Sequence, residues 1–113
     1  MLMVPVKRKN MFDSIKKLLG LAPKVNYKDL VSKGAQIIDV RTPGEFTSGH
    51  IRGAVNIPLQ SISSQMARIK KDKPVITCCA SGMRSASAKS ILKSNGFEEV
   101  HNGGGWMSLQ SKL

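Results

Sequence analysis

The stretch Val75-Ile-Thr-Cys-Cys-Ala-Ser-Gly-Met-Arg-Ser85 decides the fold more than any other part of this chain. Three β-prone residues precede a pair of thiols, the next residues favour a turn, and a helix-forming segment begins near Arg84. We therefore predict that Cys79 lies at the end of a strand and faces the N-terminus of the following helix. Backbone N–H groups and a helix N-terminus both stabilise an anion, so the pattern favours a reactive thiolate at this position.

The rest of the chain alternates short β-prone runs with helical stretches, which is typical of an α/β fold with a mostly parallel sheet. The predicted strands are Val25, Gln36–Val40, Ala54–Ile57, Val75–Cys78 and Glu99–His101. The predicted helices are Tyr27–Lys33, Thr42–Ser48, Ser61–Ile69, Ser85–Ser94 and Trp106–Gln110. In open sheets of this kind ligands bind at the carboxyl ends of the strands, where the loop Cys79–Arg84 falls.

The N-terminal part of the chain differs from the rest. Residues 1–22 are predicted to form a basic tail followed by an amphipathic helix at residues 11–22, and residues 23–113 are predicted to form one domain. The apolar face of the helix is expected to pack on its own domain, in the groove of a partner or on an anionic membrane surface. No apolar run approaches the length of about 18 residues that a membrane span needs, so only peripheral membrane contact is expected.

Composition limits the classes of partner. The 113 residues include 18 Lys and Arg against 7 Asp and Glu, and the formal net charge of +11 favours a small anionic substrate. Nucleic acid is not expected as a partner, because aromatic residues are scarce and no recognition motif is present. The two cysteines are neighbours, which excludes a disulfide scaffold and favours the cytoplasm. His50 and His101 have no metal-ligand spacing with them, so no metal is expected.

Three motifs together resemble one known family. Cys79–Ser85 resembles the C-x-x-G-x-R-S active loop of the rhodaneses, which are sulfurtransferases. The segments Asp39–Phe46 and Gly49–Pro58 are similar to a second signature of that family, and Gly103–Trp106 is similar to its closing glycine-rich turn and helix. The resemblance covers about Val25–Leu113. It implies a single-domain rhodanese fold, a five-stranded parallel sheet flanked by helices, with the cysteine loop at the end of the central strand.

The resemblance also implies an activity, that of a thiosulfate sulfurtransferase. The Cys79 thiolate would take the outer sulfur of an anionic donor such as thiosulfate, form a persulfide, and pass this sulfur to cyanide, a thiol or a protein acceptor. No cofactor is implied. The residues implied to bind substrate are the N–H groups of Ala80, Ser81, Gly82 and Met83, the guanidinium of Arg84, and the hydroxyls of Ser81 and Ser85. Asp39 and Arg41 are expected to support the site as an ion pair or loop anchor.

Cys78 leaves alternatives open. Counted from Cys78, the loop has the C-x-x-x-x-x-R spacing of cysteine phosphatases and arsenate reductases, although Gly82 and Ser85 fit only the sulfurtransferase register. Cys78 is otherwise expected to pack as the last residue of a buried strand or to act as a resolving thiol for an oxidised Cys79. A sulfur-relay protein, whose acceptor is the thiol of another protein, is the alternative to an enzyme that uses free thiosulfate.

Overall fold

Four parallel strands form the central sheet of the computed structural model, which describes residues 24–113. In chain order the strands are β1 (Gln36–Asp39), β2 (Val55–Asn56), β3 (Val75–Cys79) and β4 (Val100–Gly105). Their order across the sheet is β2-β1-β3-β4, and each neighbouring pair is parallel. Strand β3 therefore has a partner on both sides, and its carboxyl end opens at the middle of the sheet.

The predicted α/β class is confirmed, but the described residues contain four strands where five were predicted. The difference lies at Val25, which is in irregular structure directly before helix α1 (Tyr27–Ser32). Asn26 caps this helix, because its side-chain oxygen accepts a hydrogen bond from the Asp29 amide at 2.9 Å. The chain thus turns into a helix immediately after Val25, which leaves no extended run there to pair with the sheet.

The predicted helices form at nearly the expected positions, with one exception. The structure has α2 (Pro43–Ser48), α3 (Met83–Ser94) and α4 (Trp106–Gln110) in addition to α1. The predicted helix at Ser61–Ile69 was wrong in type, since the chain forms two 3₁₀ helices, Leu59–Ser64 and Met66–Arg68. Gln65 interrupts them with φ −122° and ψ 22°, outside the α-helical region. Ile62 and Ile69 are nevertheless both buried, so the core uses the apolar spacing without a continuous α-helix.

Strand β4 is longer than predicted, because the glycines expected to form a turn continue the strand. Gly105 pairs with Cys79, after a register shift between Thr77 and Cys79. A Cβ atom at Gly103 would lie 2.9 Å from both the Ile76 side chain and the Thr77 carbonyl oxygen, so this position has no room for a side chain. The glycine run therefore lets β4 lie close against the end of β3.

The core consists of two apolar clusters that we assign to the two faces of the sheet. Successive residues of a strand point to opposite faces, and the two cysteines of β3 follow this rule. Cys79 packs with Ile38, Val40 and Leu92, whereas Cys78 packs with Ile37 and Leu109. The two neighbouring thiols therefore lie in different environments.

The predicted N-terminal tail and the helix at residues 11–22 lie outside the described residues. Their proposed contact with a partner or a membrane surface stays a prediction. Within residues 24–113, the structure contains no helix with the length and apolar character required to cross a membrane.

Candidate active site

Cys79 is the last residue of β3, and the loop after it leads into the N-terminus of α3. Gly82 caps α3 with φ 110°, a left-handed conformation that glycine adopts at little steric cost. This turn brings the Gly82 amide to 2.9 Å from Cys79 Sγ and the Ser85 amide to 3.4 Å from it. The sulfur thus lies inside the curve of its own loop, at the N-terminus of a 12-residue helix.

The donors around Sγ differ partly from the predicted run Ala80–Met83. Besides the Gly82 and Ser85 amides, the Ser81 amide acts on the sulfur. The Ser85 hydroxyl oxygen, 3.4 Å from Sγ, accepts a hydrogen bond from the Cys79 thiol. The Ala80 and Met83 amides, both within the part of the chain that the structure describes, make no hydrogen bond to Cys79 Sγ. The set of donors is therefore shifted toward the start of α3.

Two opposing effects set the pKa of the Cys79 thiol. Burial acts to raise it, while the hydrogen bond between Cys79 and the Ser85 side chain and those from the Ser85, Gly82 and Ser81 amides lower it. The hydrogen bonds outweigh burial, and the pKa lies below that of an ordinary thiol. Cys79 is only 1% exposed, so a partner reaches Sγ only when atoms around the sulfur move aside. The site combines an activated thiolate with restricted access.

Asn102, a residue that the sequence analysis did not single out, fastens the loop. Its side-chain oxygen accepts a hydrogen bond from the Ser85 hydroxyl at 2.6 Å and another from the Gly104 amide at 2.9 Å. Its side-chain nitrogen donates to the Gly82 carbonyl at 3.2 Å. Asn102 lies on β4, beside β3, and the carboxyl ends of parallel strands meet at one edge. Asn102 directly follows the predicted strand Glu99–His101, and this position could have indicated from the sequence that its side chain lies near the cysteine loop.

Arg84 was predicted to orient the donor, but in the structure it forms an ion pair with Glu45. The two guanidinium nitrogens donate to the two carboxylate oxygens at 2.8 and 3.0 Å. These hydrogen bonds from Arg84, followed by those from Thr42, lower the pKa of Glu45 to about 2. The pair is therefore charged at any physiological pH, and the Arg84 guanidinium is already occupied by a carboxylate.

Asp39 and Arg41 form a buried ion pair, which is one of the two arrangements expected for them, while their support of the site stays a prediction. Arg41 donates from Nε and Nη2 to the two carboxylate oxygens of Asp39, at 2.9 and 2.7 Å. The same guanidinium donates to the carbonyls of Glu45 and Gly49, and it lies over the ring of Trp106 with its Cζ 4.7 Å from the ring centroid. Arg41 thus ties β1 to both ends of α2, the helix that carries Glu45.

The environment of Cys78 favours the packing interpretation over both alternatives. Its side chain is fully buried on the opposite face from Cys79, where it cannot meet the loop amides. Burial, with a further contribution from the Asp39 carboxylate, raises the pKa of Cys78 to about 12. A thiol that stays protonated and faces away is suited neither to a phosphatase-like nucleophile nor to a resolving thiol.

This contrast predicts selective alkylation. We expect iodoacetamide to modify Cys79 in the folded protein and Cys78 only after unfolding, because alkylation requires a thiolate. Since the pKa of Cys79 is lowered, its rate of alkylation should reach half of its maximum at a lower pH than the rate of free cysteine measured alongside. Rates measured across pH by intact mass in the Cys78→Ala and Cys79→Ser variants check this. Faster modification of Cys78, or a midpoint for Cys79 at or above that of free cysteine, would contradict the described geometry.

Comparisons with known proteins agree with this architecture. A model of the family described as rhodanese-like domain matches residues 23–112. An uncharacterized Bacillus subtilis protein, YqhL, is 47% identical over 68 residues, a match that covers 60% of this chain and 54% of the length of YqhL. Thiosulfate sulfurtransferase PspE of Escherichia coli is 40% identical over 70 residues, covering 60% of this chain and 67% of PspE. The solved structure of the human single-domain sulfurtransferase TSTD1 aligns with a TM-score of 0.68 at 28% identity, covering 81% of this chain and 98% of that protein.

Proposed function

Because the chain belongs to the rhodanese-like domain family, we propose that it is a sulfurtransferase that moves sulfane sulfur from thiosulfate or a related anionic donor to a thiophilic acceptor through a persulfide on Cys79. The observation that carries this proposal is the Gly82 amide 2.9 Å from Cys79 Sγ, at the start of α3. The relatives named thiosulfate sulfurtransferase support the choice of donor.

The reaction has two steps. In the first, the Cys79 thiolate forms a bond to the outer sulfur of thiosulfate, the sulfur–sulfur bond of the donor breaks, and sulfite leaves with the electron pair. In the second, cyanide or a thiolate forms a bond to the terminal sulfur, and the electron pair of the persulfide bond returns to Cys79. Covalent catalysis of this kind divides one transfer into two easier displacements and needs no redox partner.

The residues around Cys79 have distinct roles in this proposal. The Gly82, Ser81 and Ser85 amides stabilise the anionic sulfur before attack, and after it they are placed to stabilise the charge of the persulfide. The Ser85 hydroxyl lies 3.4 Å from Sγ and is kept in place by its hydrogen bond to Asn102. Ala80 and Met83 belong to the loop that the donor has to pass, and Arg84, which follows Met83, is paired with Glu45 of α2. Asp39 and Arg41 act indirectly, as positioning residues.

The natural acceptor is a separate part of the proposal, and a protein thiol has one observation in its favour. Met83, on the loop, is 80% exposed, and Met107, two residues beyond Gly105, is 67% exposed. A Cβ atom at Gly105 would lie 2.9 Å from the Ala80 carbonyl oxygen, so Met107 follows the part of β4 that lies beside the cysteine loop. Exposed methionines are adaptable contact residues at protein surfaces, which suits the sulfur-relay alternative.

Mass spectrometry tests the proposed persulfide. After incubation with thiosulfate, the protein should gain the mass of one sulfur atom, and cyanide or a thiol reductant should remove it. No Lys or Arg separates the two cysteines, so the Cys78→Ala variant serves to assign the sulfur to Cys79. An unmodified protein, together with hydrolysis of an aryl phosphate, would favour the phosphatase class instead.

A further inference from the structure

The charge beside the cysteine loop is balanced within the protein. Arg84 is adjacent to Ser85, whose amide donates to Cys79 Sγ, and it is the cation that the sequence analysis assigned to the donor. Both oxygens of Glu45 accept hydrogen bonds from Arg84, and the two side chains are about equally exposed, at 35% and 36%. A sulfur donor that approaches the loop therefore meets the Arg84–Glu45 pair, which has no net charge and in which the Glu45 carboxylate already occupies the Arg84 guanidinium.

Glu45 is held in this position from its own side. Its Oε1 atom accepts hydrogen bonds from the Thr42 amide at 2.9 Å and from the Thr42 hydroxyl at 3.1 Å, while the Thr42 hydroxyl in turn accepts from the Glu45 amide. This reciprocal capping box fixes the carboxylate at the first turn of α2. The backbone carbonyl of Glu45 accepts a further hydrogen bond from the buried Arg41. Glu45 is thus a fixed negative charge at the site.

We propose that Glu45 determines donor specificity: its carboxylate neutralises Arg84 and so disfavours doubly charged donors such as thiosulfate relative to singly charged donors with the same transferable sulfur. This inference rests on the proposed function. The electrostatic cost of bringing an anion to Glu45 scales with the charge of the anion, whereas a contribution of Glu45 to loop shape acts on every donor alike. The ratio of activities between two donors of different charge therefore isolates the effect.

The test compares thiosulfate with methanethiosulfonate, which carries one negative charge and also loses its terminal sulfur to a thiolate, with methanesulfinate as the leaving group. Thiocyanate formed with cyanide is measured at varied donor concentration. In Glu45→Gln we expect kcat/KM to rise about tenfold for thiosulfate and about threefold for methanethiosulfonate, through KM and with kcat nearly unchanged. Glutamine keeps the hydrogen-bonding pattern of a capping box, so the fold should be retained, which thermal unfolding checks.

Two further variants separate charge from other causes. Glu98→Gln changes the net charge by the same amount. Glu98 lies before the amino end of β4, however, whereas Cys79 lies at the carboxyl end of β3, so the ratio of activities with the two donors should stay at the wild-type value. Glu45→Asp keeps the negative charge while shortening the side chain, and it should keep the wild-type ratio within about twofold.

The outcomes distinguish this inference from the function on which it rests. Thiocyanate formation with an unchanged donor ratio in Glu45→Gln, or an equal shift of the ratio in Glu45→Asp, would overturn the role of Glu45 alone. If the wild-type protein forms no thiocyanate with either donor, the proposed function fails and the role of Glu45 fails with it.

Discussion

Replacing Cys79 by serine is expected to lower thiocyanate formation from thiosulfate and cyanide by at least about 10⁴-fold, to the level of the uncatalysed background. The amides of Gly82 and Ser85 would still surround the side-chain oxygen. A hydroxyl, however, is almost fully protonated at neutral pH, and its oxygen is a poor nucleophile toward sulfur. The loss should appear in kcat, because the variant changes the reacting atom and leaves the Arg84–Glu45 pair intact.

Cys78→Ala is the matched control for this prediction. It removes the neighbouring thiol from the opposite face of β3, where Cys78 packs against Ile37 and Leu109. We expect activity within about twofold of wild type and a small loss of stability from the lost packing, of about 1 kcal/mol. The reverse pattern, with activity kept in Cys79→Ser and lost in Cys78→Ala, would move the nucleophile to Cys78 and restore the phosphatase-like register.

The position of the reactive thiol could be predicted from sequence because its determinants are local. A β-prone run, a turn with Gly82 and a helix-forming segment lie within eleven residues, and the resulting strand–loop–helix unit forms as expected. The rhodanese resemblance inferred from three motifs is confirmed by the family match. The near-complete burial of Cys79 was not predictable, since it depends on how β4 and α3 close around the loop.

The partners of Arg84 and Ser85 could not be predicted for a different reason. Glu45 is 39 positions from Arg84 in sequence, and Asn102 is 17 positions from Ser85. A motif shows that an arginine is present but does not show which carboxylate reaches it. The packing of α2 beside the loop makes Glu45 the counter-ion of Arg84, the residue that was predicted to bind the donor.

The differences in the fold also follow from local competition. At Val25, β-propensity is overridden by the cap that Asn26 provides for α1. At Ser61–Ile69 the apolar spacing is that of an α-helix, yet the backbone breaks at Gln65 and the buried residues are supplied by two shorter turns. At Ser61–Ile69 the pattern correctly marked the buried Ile62 and Ile69 and misjudged only the backbone that carries them, whereas Val25 is 40% exposed and belongs to neither the sheet nor the core.

The second large effect concerns stability. Asp39→Asn is expected to lower the free energy of unfolding by about 3–5 kcal/mol, because it leaves the buried Arg41 guanidinium without its counter-charge. Asparagine has nearly the same shape as aspartate, so the loss reflects charge and hydrogen bonding more than packing. The amide nitrogen would also present hydrogens to the Arg41 donors, where a carboxylate oxygen now accepts. Urea unfolding at neutral pH measures the change.

Asp29→Asn is the matched control, since it removes a carboxylate from an ion pair of similar length in a different environment. Asp29 and Lys33 are 3.0 Å apart, but their side chains are 49% and 70% exposed, so water solvates whichever charge remains. We expect a loss below about 1 kcal/mol for this variant. Equal losses of unfolding free energy in the two variants would show that burial does not make the Asp39–Arg41 pair more important for stability than an exposed pair. The activity of folded Asp39→Asn protein is a second measurement. Arg41 donates a hydrogen bond to the Glu45 carbonyl, so the loss of its partner Asp39 should loosen α2 and weaken the Arg84–Glu45 pair. The ratio of activity with thiosulfate to activity with methanethiosulfonate should then shift in the direction expected for Glu45→Gln.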